Sequence, residues 1–167
     1  MTVPFTTSDI FDSHPTEVEV CDAQFRGFGR IRAFSGPCAT VKTFEDPNPI
    51  RAAFEEPGEG RILVIDGGGS LRYAVIGDRM AALALRSGWA GVILYGAIRD
   101  SEALDTLDFG IKALGTIARR PAAAVGGLRD VAVTLAGATF HPGSWVYADT
   151  DAVLVARGSH KLQMSDA

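Results

Sequence analysis

The chain has 167 residues, 47% of them apolar, with a formal net charge of −4 and a pI near 5.3. That length suits one domain with a real core and is too short for two ordinary ones. The acidic balance excludes the electrostatic footprint of a nucleic-acid or membrane-surface binder and leaves a small molecule or a protein as the partner.

In chain order, residues 1–24 mix charges with Pro4 and Pro15 and predict a leading segment with a short helix near Ser8 to Phe11. From Phe25 to Phe44 apolar and polar residues alternate around Gly36-Pro37, which predicts two strands joined by a turn at that pair. Pro49 introduces a short helix, "IRAAFEEPGEG", stopped by Pro57 and Gly58. "RILVID" is a strand whose unbroken apolar run implies burial on both faces. A packed helix starts near Asp78, carries Met80, Leu83 and Leu85 among alanines, and stops at Gly88. "GVILYG" is a second buried strand, and "SEALDTLDFG" a helix capped by Ser101. The run from Val131 to Ala156 reads as strands with a turn at Pro142-Gly143, and residues 157–167 as a flexible tail to a single domain spanning 1–167. This order predicts an α/β layered domain with a mixed central sheet. No apolar run reaches the roughly 18 residues of a membrane span. Cys21 and Cys38 lack a metal-ligand spacing and no basic, apolar leader is evident, so a reduced cytoplasmic protein is expected.

"DGGGS", Asp66 to Ser70, follows a buried strand as phosphate loops do, but it lacks the Lys-Ser/Thr pair of a P-loop and the glycine spacing of a dinucleotide fingerprint. A sharp turn needing positive φ accounts for it equally well. It is also the sole support in this chain for a methyltransferase, for which the chain is short.

Two charged pairs carry more. Gly77-Asp78 opens the central helix, and Arg99-Asp100 stands just past the strand "GVILYG". In open α/β layers ligands gather beyond the carboxyl ends of strands, so the two pairs can share one crevice. Free N–H groups of Asp78, Arg79 and Met80 would favour a carboxylate there. Arg99 would clamp the same anion with its planar fork, and Asp100 would supply a hard oxygen ligand suited to Mg²⁺. The alternative is that Asp78 is only a helix cap, and Arg99 and Asp100 only a solvated turn.

The interval of a Gly-Asp pair, twenty intervening residues and an Arg-Asp pair resembles the motif of the class II aldolases acting on 4-hydroxy-4-methyl-2-oxoglutarate. These belong to the family named for the regulator of ribonuclease activity A. The likeness extends through "FGRIRAFSGPCATVKTFED", "VIDGGGSLRYAVIGD", "LDFGIKALGT" and "VYADTDAVLV". It implies a compact αββα swivelling-type fold, a homotrimer with the site near a subunit interface, and a divalent cation, Mg²⁺ or Mn²⁺. Carried over, Gly77 to Met80 hold a pyruvyl carboxylate, Arg99 contacts substrate, Asp100 holds the metal, and Asp78 is the further acid beside the metal waters.

The implied chemistry is cleavage of a 4-hydroxy-2-oxo acid to pyruvate, with oxaloacetate decarboxylation through the same enolate. The C4 hydroxyl proton would pass through a water to Asp78. Lys42, Lys112 and Lys161 lie outside the matching segment, which disfavours a Schiff base. The family name implies a second function, binding and inhibiting an RNA-degrading endonuclease through a protein surface. Ser144 and Ala152 depart from the Asp and Gly of many relatives, and longer relatives carry a C-terminal extension that can bring an acid to a neighbouring subunit's site. His14, His141 and His160 have no mutual metal spacing and are expected at the surface; Trp89 and Trp145 are expected to pack.

Overall fold

The computed structural model describes residues 4–122 and 124–164; the last three residues of the predicted tail lie outside them. The chain forms a mixed α/β fold around a curled, mixed sheet of ten strands, with a separate two-stranded hairpin. In chain order the elements are α1 (Thr7–Ser13), β1 (Val18–Val20), β2 (Arg26–Phe28), β3 (Phe34–Thr43), α2 (Asn48–Phe54), β4 (Ile62–Asp66), β5 (Ala74–Ile76) and α3 (Asp78–Arg86). There follow β6 (Gly91–Ile98), α4 (Ser101–Leu104), β7 (Gly110–Thr116), β8 (Gly127–Arg129), β9 (Val133–Leu135), β10 (Ala138–Phe140), β11 (Trp145–Ala148) and β12 (Val153–Ala156). No helix of the described residues is long and apolar enough to cross a membrane.

The centre is β3-β4-β6-β7, three parallel pairings, the last with a register shift between Leu94 and Ala97, and crossover connections make them possible. Side chains on β4 alternate between two cores. Leu63 and Ile65 pack with Phe54, Met80, Ala81 and Ala84 beneath α2 and α3, while Ile62 and Val64 pack with Phe34, Phe140, Val146 and Val155 on the other face. Burial on both faces is why "ILVI" reads as a continuous apolar run. A smaller core of Ile10, Val18, Tyr147 and Leu154 sits under α1.

Most predicted elements are found, with three corrections. Gly36-Pro37 is not a turn but lies inside the ten-residue β3, which is antiparallel to β11 over Phe34–Pro37 and parallel to β4 over Cys38–Lys42. The pair marks this change of partner: Pro37 offers no N–H, and a Cβ at Gly36 would meet Gly60 O at 2.8 Å. The helix after β6 has four residues rather than ten, and its N-cap is Asp100, not Ser101, with no side-chain cap bond. Finally "GIKALGT" is the buried strand β7, a stretch for which the sequence predicts no strand.

Buried acids tie the loops to this frame. Asp149, in the β11–β12 turn, accepts the Thr7 N–H at 2.7 Å, the Thr7 hydroxyl at 2.8 Å and the Asp151 N–H at 2.9 Å. Burial alone would raise its carboxyl, but these donors outweigh it and hold the group below the usual range. Cys21 and Cys38 are free and buried, and burial is the main cause pushing both thiols up to about 12. Past β12, the Leu162 N–H donates to Tyr147 Oη at 2.8 Å.

A depressed carboxyl contributes stability above its unfolded pKa and loses it as pH falls through the folded value. Asp149→Asn is therefore expected to cost about 1–3 kcal/mol at pH 7, since one donor would face an amide nitrogen. The cost should shrink towards zero well below pH 4, where wild-type Asp149 is itself protonated. Urea unfolding at the two pH values checks this; an equal loss at both would contradict it.

Candidate functional site

The site grows from the carboxyl end of β6. Ile98, its last residue, has Ile76 of β5 at one side and Thr116 of β7 at the other. The Arg99 N–H donates to Ile76 O and the Ile117 N–H to Ile98 O, both at 3.0 Å. Three strands therefore end together. The chain after β5 enters α3 through Gly77, and the chain after β6 enters α4 through Arg99 and Asp100.

These two exits touch. The Asp78 N–H donates to Asp100 Oδ2 at 3.2 Å, which joins the start of α3 to the end of β6. Asp100 is turned there by a left-handed backbone, φ 60° and ψ 38°, a conformation that Asp tolerates better than most residues. The contact needs Gly77. A Cβ at that position would lie 2.7 Å from Asp100 Oδ2 and 3.4 Å from Arg99 Nε. Gly77 is the N-cap of α3 and Asp78 its first residue, and Asp78 Oδ1 accepts the Arg79 N–H at 2.8 Å. Two of the first amides of α3 are thus engaged by carboxylates, the charge a helix N-terminus favours. Met80 turns inward and is buried.

Arg99 Nε stands 3.8 Å from Asp100 Oδ2, and both side chains remain a little over one-third exposed. They line an open cleft of about 560 Å³ with Thr116, Ile117 and Ala118. Among the described residues, no group of three His, Cys, Asp or Glu side chains converges as a ready-made cation cage. Asp100 offers instead one open carboxylate: no hydrogen bond from the described residues reaches its Oδ1. A single carboxylate with waters completing the shell is how Mg²⁺ is commonly held.

The other sequence candidates are placed elsewhere. The glycine loop is filled by the protein itself. Cβ positions at Gly68 and Gly69, both at positive φ, run into the rings of Phe44 and Tyr95, and the Gly69 N–H donates to Tyr95 O. Lys112 is four residues upstream of Thr116 on β7, about 13 Å along the strand. Trp89 packs edge-on against Phe54 and donates Nε1–H to Glu56 O, as expected of a packing residue. His141 and His160 are exposed, and His14 Nε2 contacts Gln163 O at 2.8 Å. The residues that sequence reasoning passed over are Thr116–Ala118, whose place beside Arg99 depends on the unpredicted β7.

The profile of the RraA-like family, described as Aldolase/RraA, matches residues 6–155. The chain belongs to that family. A relative from Alkalilimnicola ehrlichii, named provisionally as a 4-hydroxy-4-methyl-2-oxoglutarate aldolase, is 50% identical over 95% of this chain and 98% of its own. Another, from Aromatoleum aromaticum and named the same way, is 44% identical over 93% and 98%. Among solved structures, the RNA-processing inhibitor RraA from Thermus thermophilus superposes with a TM-score of 0.87 at 37% identity, over 92% of this chain and 93% of the other. A Geobacillus kaustophilus protein, titled S-adenosylmethionine:2-dimethylmenaquinone methyltransferase, gives a TM-score of 0.88 at 43% identity over 91% and 94%. Names within this one RraA-like fold therefore diverge, and the site must decide between them.

If Gly77 keeps the two exits in contact, Gly77→Ala should release the Asp78 amide while leaving the fold intact, because a φ of −128° suits alanine. Hydrogen exchange at that amide is expected to rise about tenfold or more in Gly77→Ala and in Asp100→Ala, which corresponds to losing about 1.4 kcal/mol of protection. Unchanged exchange in both variants would contradict the contact.

Proposed function

We propose that this RraA-like protein is a divalent-cation-dependent lyase that cleaves 4-hydroxy-4-methyl-2-oxoglutarate, or a similar 4-hydroxy-2-oxo acid, to pyruvate. The same site decarboxylates oxaloacetate. The observation that carries this is the bond from the Asp78 amide to Asp100, with Arg99 alongside, at the mouth of an open cleft. It gathers an anion-binding helix start, a fixed cation and an open carboxylate at one point.

The residues fit Mg²⁺ or Mn²⁺, with Asp100 as the protein ligand and waters and substrate oxygens as the rest. When bound, such an ion acts as a Lewis acid towards the charge that develops on the substrate's keto oxygen. The chain's own groups do the remainder. A pyruvyl carboxylate takes the α3 amides of Arg79 and Met80, displacing Asp78 Oδ1 from the Arg79 N–H while the Asp78 N–H stays on Asp100. Asp78, freed from that bond, becomes the acceptor for the C4 hydroxyl proton. As that proton leaves, its electron pair forms a carbonyl at C4, the C3–C4 bond breaks and releases the C4 fragment as a carbonyl compound, and the C3–C4 pair moves into the C2–C3 unit as an enolate. Arg99 stabilises the enolate by charge and by its fork, and protonation at C3 completes pyruvate. Oxaloacetate requires no hydroxyl base: loss of CO₂ gives the same enolate. The working unit is a homotrimer in the cytoplasm, and a neighbouring copy stands close to the site.

A second function, inhibition of an RNA-degrading endonuclease through a protein surface, is favoured by the likeness to the Thermus RNA-processing inhibitor.

Pyruvate release from 4-hydroxy-4-methyl-2-oxoglutarate and from oxaloacetate is expected with Mg²⁺ or Mn²⁺ and should stop with excess chelator. Arg99→Ala should lower kcat by about 100-fold to 1,000-fold, the usual cost of one charge-stabilising donor. Asp78→Asn should impair aldol cleavage far more than decarboxylation. No release from either substrate by a folded oligomer would refute the lyase and leave the regulator.

A further inference from the structure

Next to the cleft lies a feature that neither the motif nor the mechanism uses. The guanidinium carbons of Arg72 and Arg119 each stand 5.7 Å from the centroid of the Tyr73 ring. The two cations are therefore at most twice that distance apart, about a Debye length at moderate salt. Arg119 is locked in place by donating Nη1–H to Arg72 O at 3.2 Å, and its own carbonyl accepts the Ala74 N–H at 2.7 Å. Neither arginine has a carboxylate within ion-pair distance among the described residues.

In a chain with an excess of acids, two ordered and exposed arginines on one ring, facing no acid, form a site for an anion. The aromatic face offsets part of their mutual repulsion, and a carboxylate between them removes the rest. Position makes the anion specific. Arg119 follows Ala118, which lines the cleft, and Tyr73 leads through the three residues of β5 directly to Gly77. Tyr73 and Gly77 are about 13 Å apart along the strand. A five-carbon diacid anchored at the start of α3 extends about half of that length towards the pair, and the Tyr73 side chain that carries the two guanidinium groups is long enough to meet it.

We propose that Arg72 and Arg119, arranged on Tyr73, form the subsite for the distal carboxylate of the substrate and so select 2-oxo acids that carry a second acid group. The identity of the ligand rests on the lyase proposal; the arginine pair is a specificity determinant and takes no part in bond breaking. It separates a 4-hydroxy-2-oxo diacid from a 4-hydroxy-2-oxo acid ending in methyl, which leaves two cations uncompensated.

The test uses two unreactive ligands of equal chain length, 2-oxoglutarate and 2-oxopentanoate, which differ by a terminal carboxylate against a methyl. In calorimetry with Mg²⁺ present, the full-length protein is expected to bind 2-oxoglutarate at least about tenfold more tightly. The Arg72→Ala/Arg119→Ala double variant should bind both ligands equally, with its affinity for 2-oxopentanoate unchanged. In the wild-type protein, raising the salt should narrow the preference, a readout that needs no variant. Absence of preference in the wild type, failure to bind either ligand, or a preference that survives in the double variant would overturn the subsite. Pyruvate release separates the two ideas. A chain that turns over substrate without the preference keeps the lyase and loses the subsite, and one with the preference but no turnover does the reverse.

Discussion

Everything at the candidate site depends on one contact between the ends of two elements: the Asp78 amide on Asp100 Oδ2. A helix N-terminus carries unpaired N–H groups and a partial positive charge, and a strand end carries a chain that must turn. Here each resolves the other. Asp100 satisfies an α3 amide, and the left-handed turn at Asp100 aims its carboxylate to do so. The parallel register of β5, β6 and β7 brings the exits within reach, and Gly77 leaves the space. The apolar stretch between the charged pairs is the means of bringing them together: α3 packs over the sheet and β6 returns the chain to the same edge.

Much of this was legible. The β4 and β6 strands announced themselves because both faces are buried, and α3 because Met80 and the alanines pack one side and Gly88 ends it at φ +88°. The motif interval put Gly77-Asp78 at a helix start and Arg99-Asp100 just past a strand end, and the fold has them there. What escaped notice did so for physical reasons. β5 and β1 have three residues each, too few to show a period. β7 carries Lys112 in its middle, a charge that breaks the apolar run although the side chain is buried. Gly36-Pro37 has turn chemistry but serves a change of strand partner, a need set by β11 and β4 rather than by local sequence. Ser101 looks like a cap, yet the preceding acid takes the cap position and spends its carboxylate on a different helix.

The glycine loop and the arginine pair make the opposite points about inference from sequence. Three consecutive glycines suggest a ligand, but Phe44 and Tyr95 occupy the space they leave, so packing accounts for them. Arg72 and Arg119 are 47 residues apart and suggest nothing until the fold sets both on Tyr73. A solved relative titled as a methyltransferase and curated relatives named as aldolases share this architecture. Assigning chemistry by the likeness alone would be arbitrary, whereas a convergent amide, arginine and carboxylate support the proposed charge development on an oxygen.

The most direct test is to titrate Mn²⁺ into the protein and count bound ions by electron paramagnetic resonance, in the wild type, in Asp100→Ala and in Asp108→Ala. Asp108 is a surface acid, 71% exposed, and serves as the control. One specific site per chain in the wild type and in Asp108→Ala, lost in Asp100→Ala, is the predicted result. Equal binding in Asp100→Ala, or no specific site in the wild type, would contradict the account, and the contact at Asp78 would then be a structural junction alone.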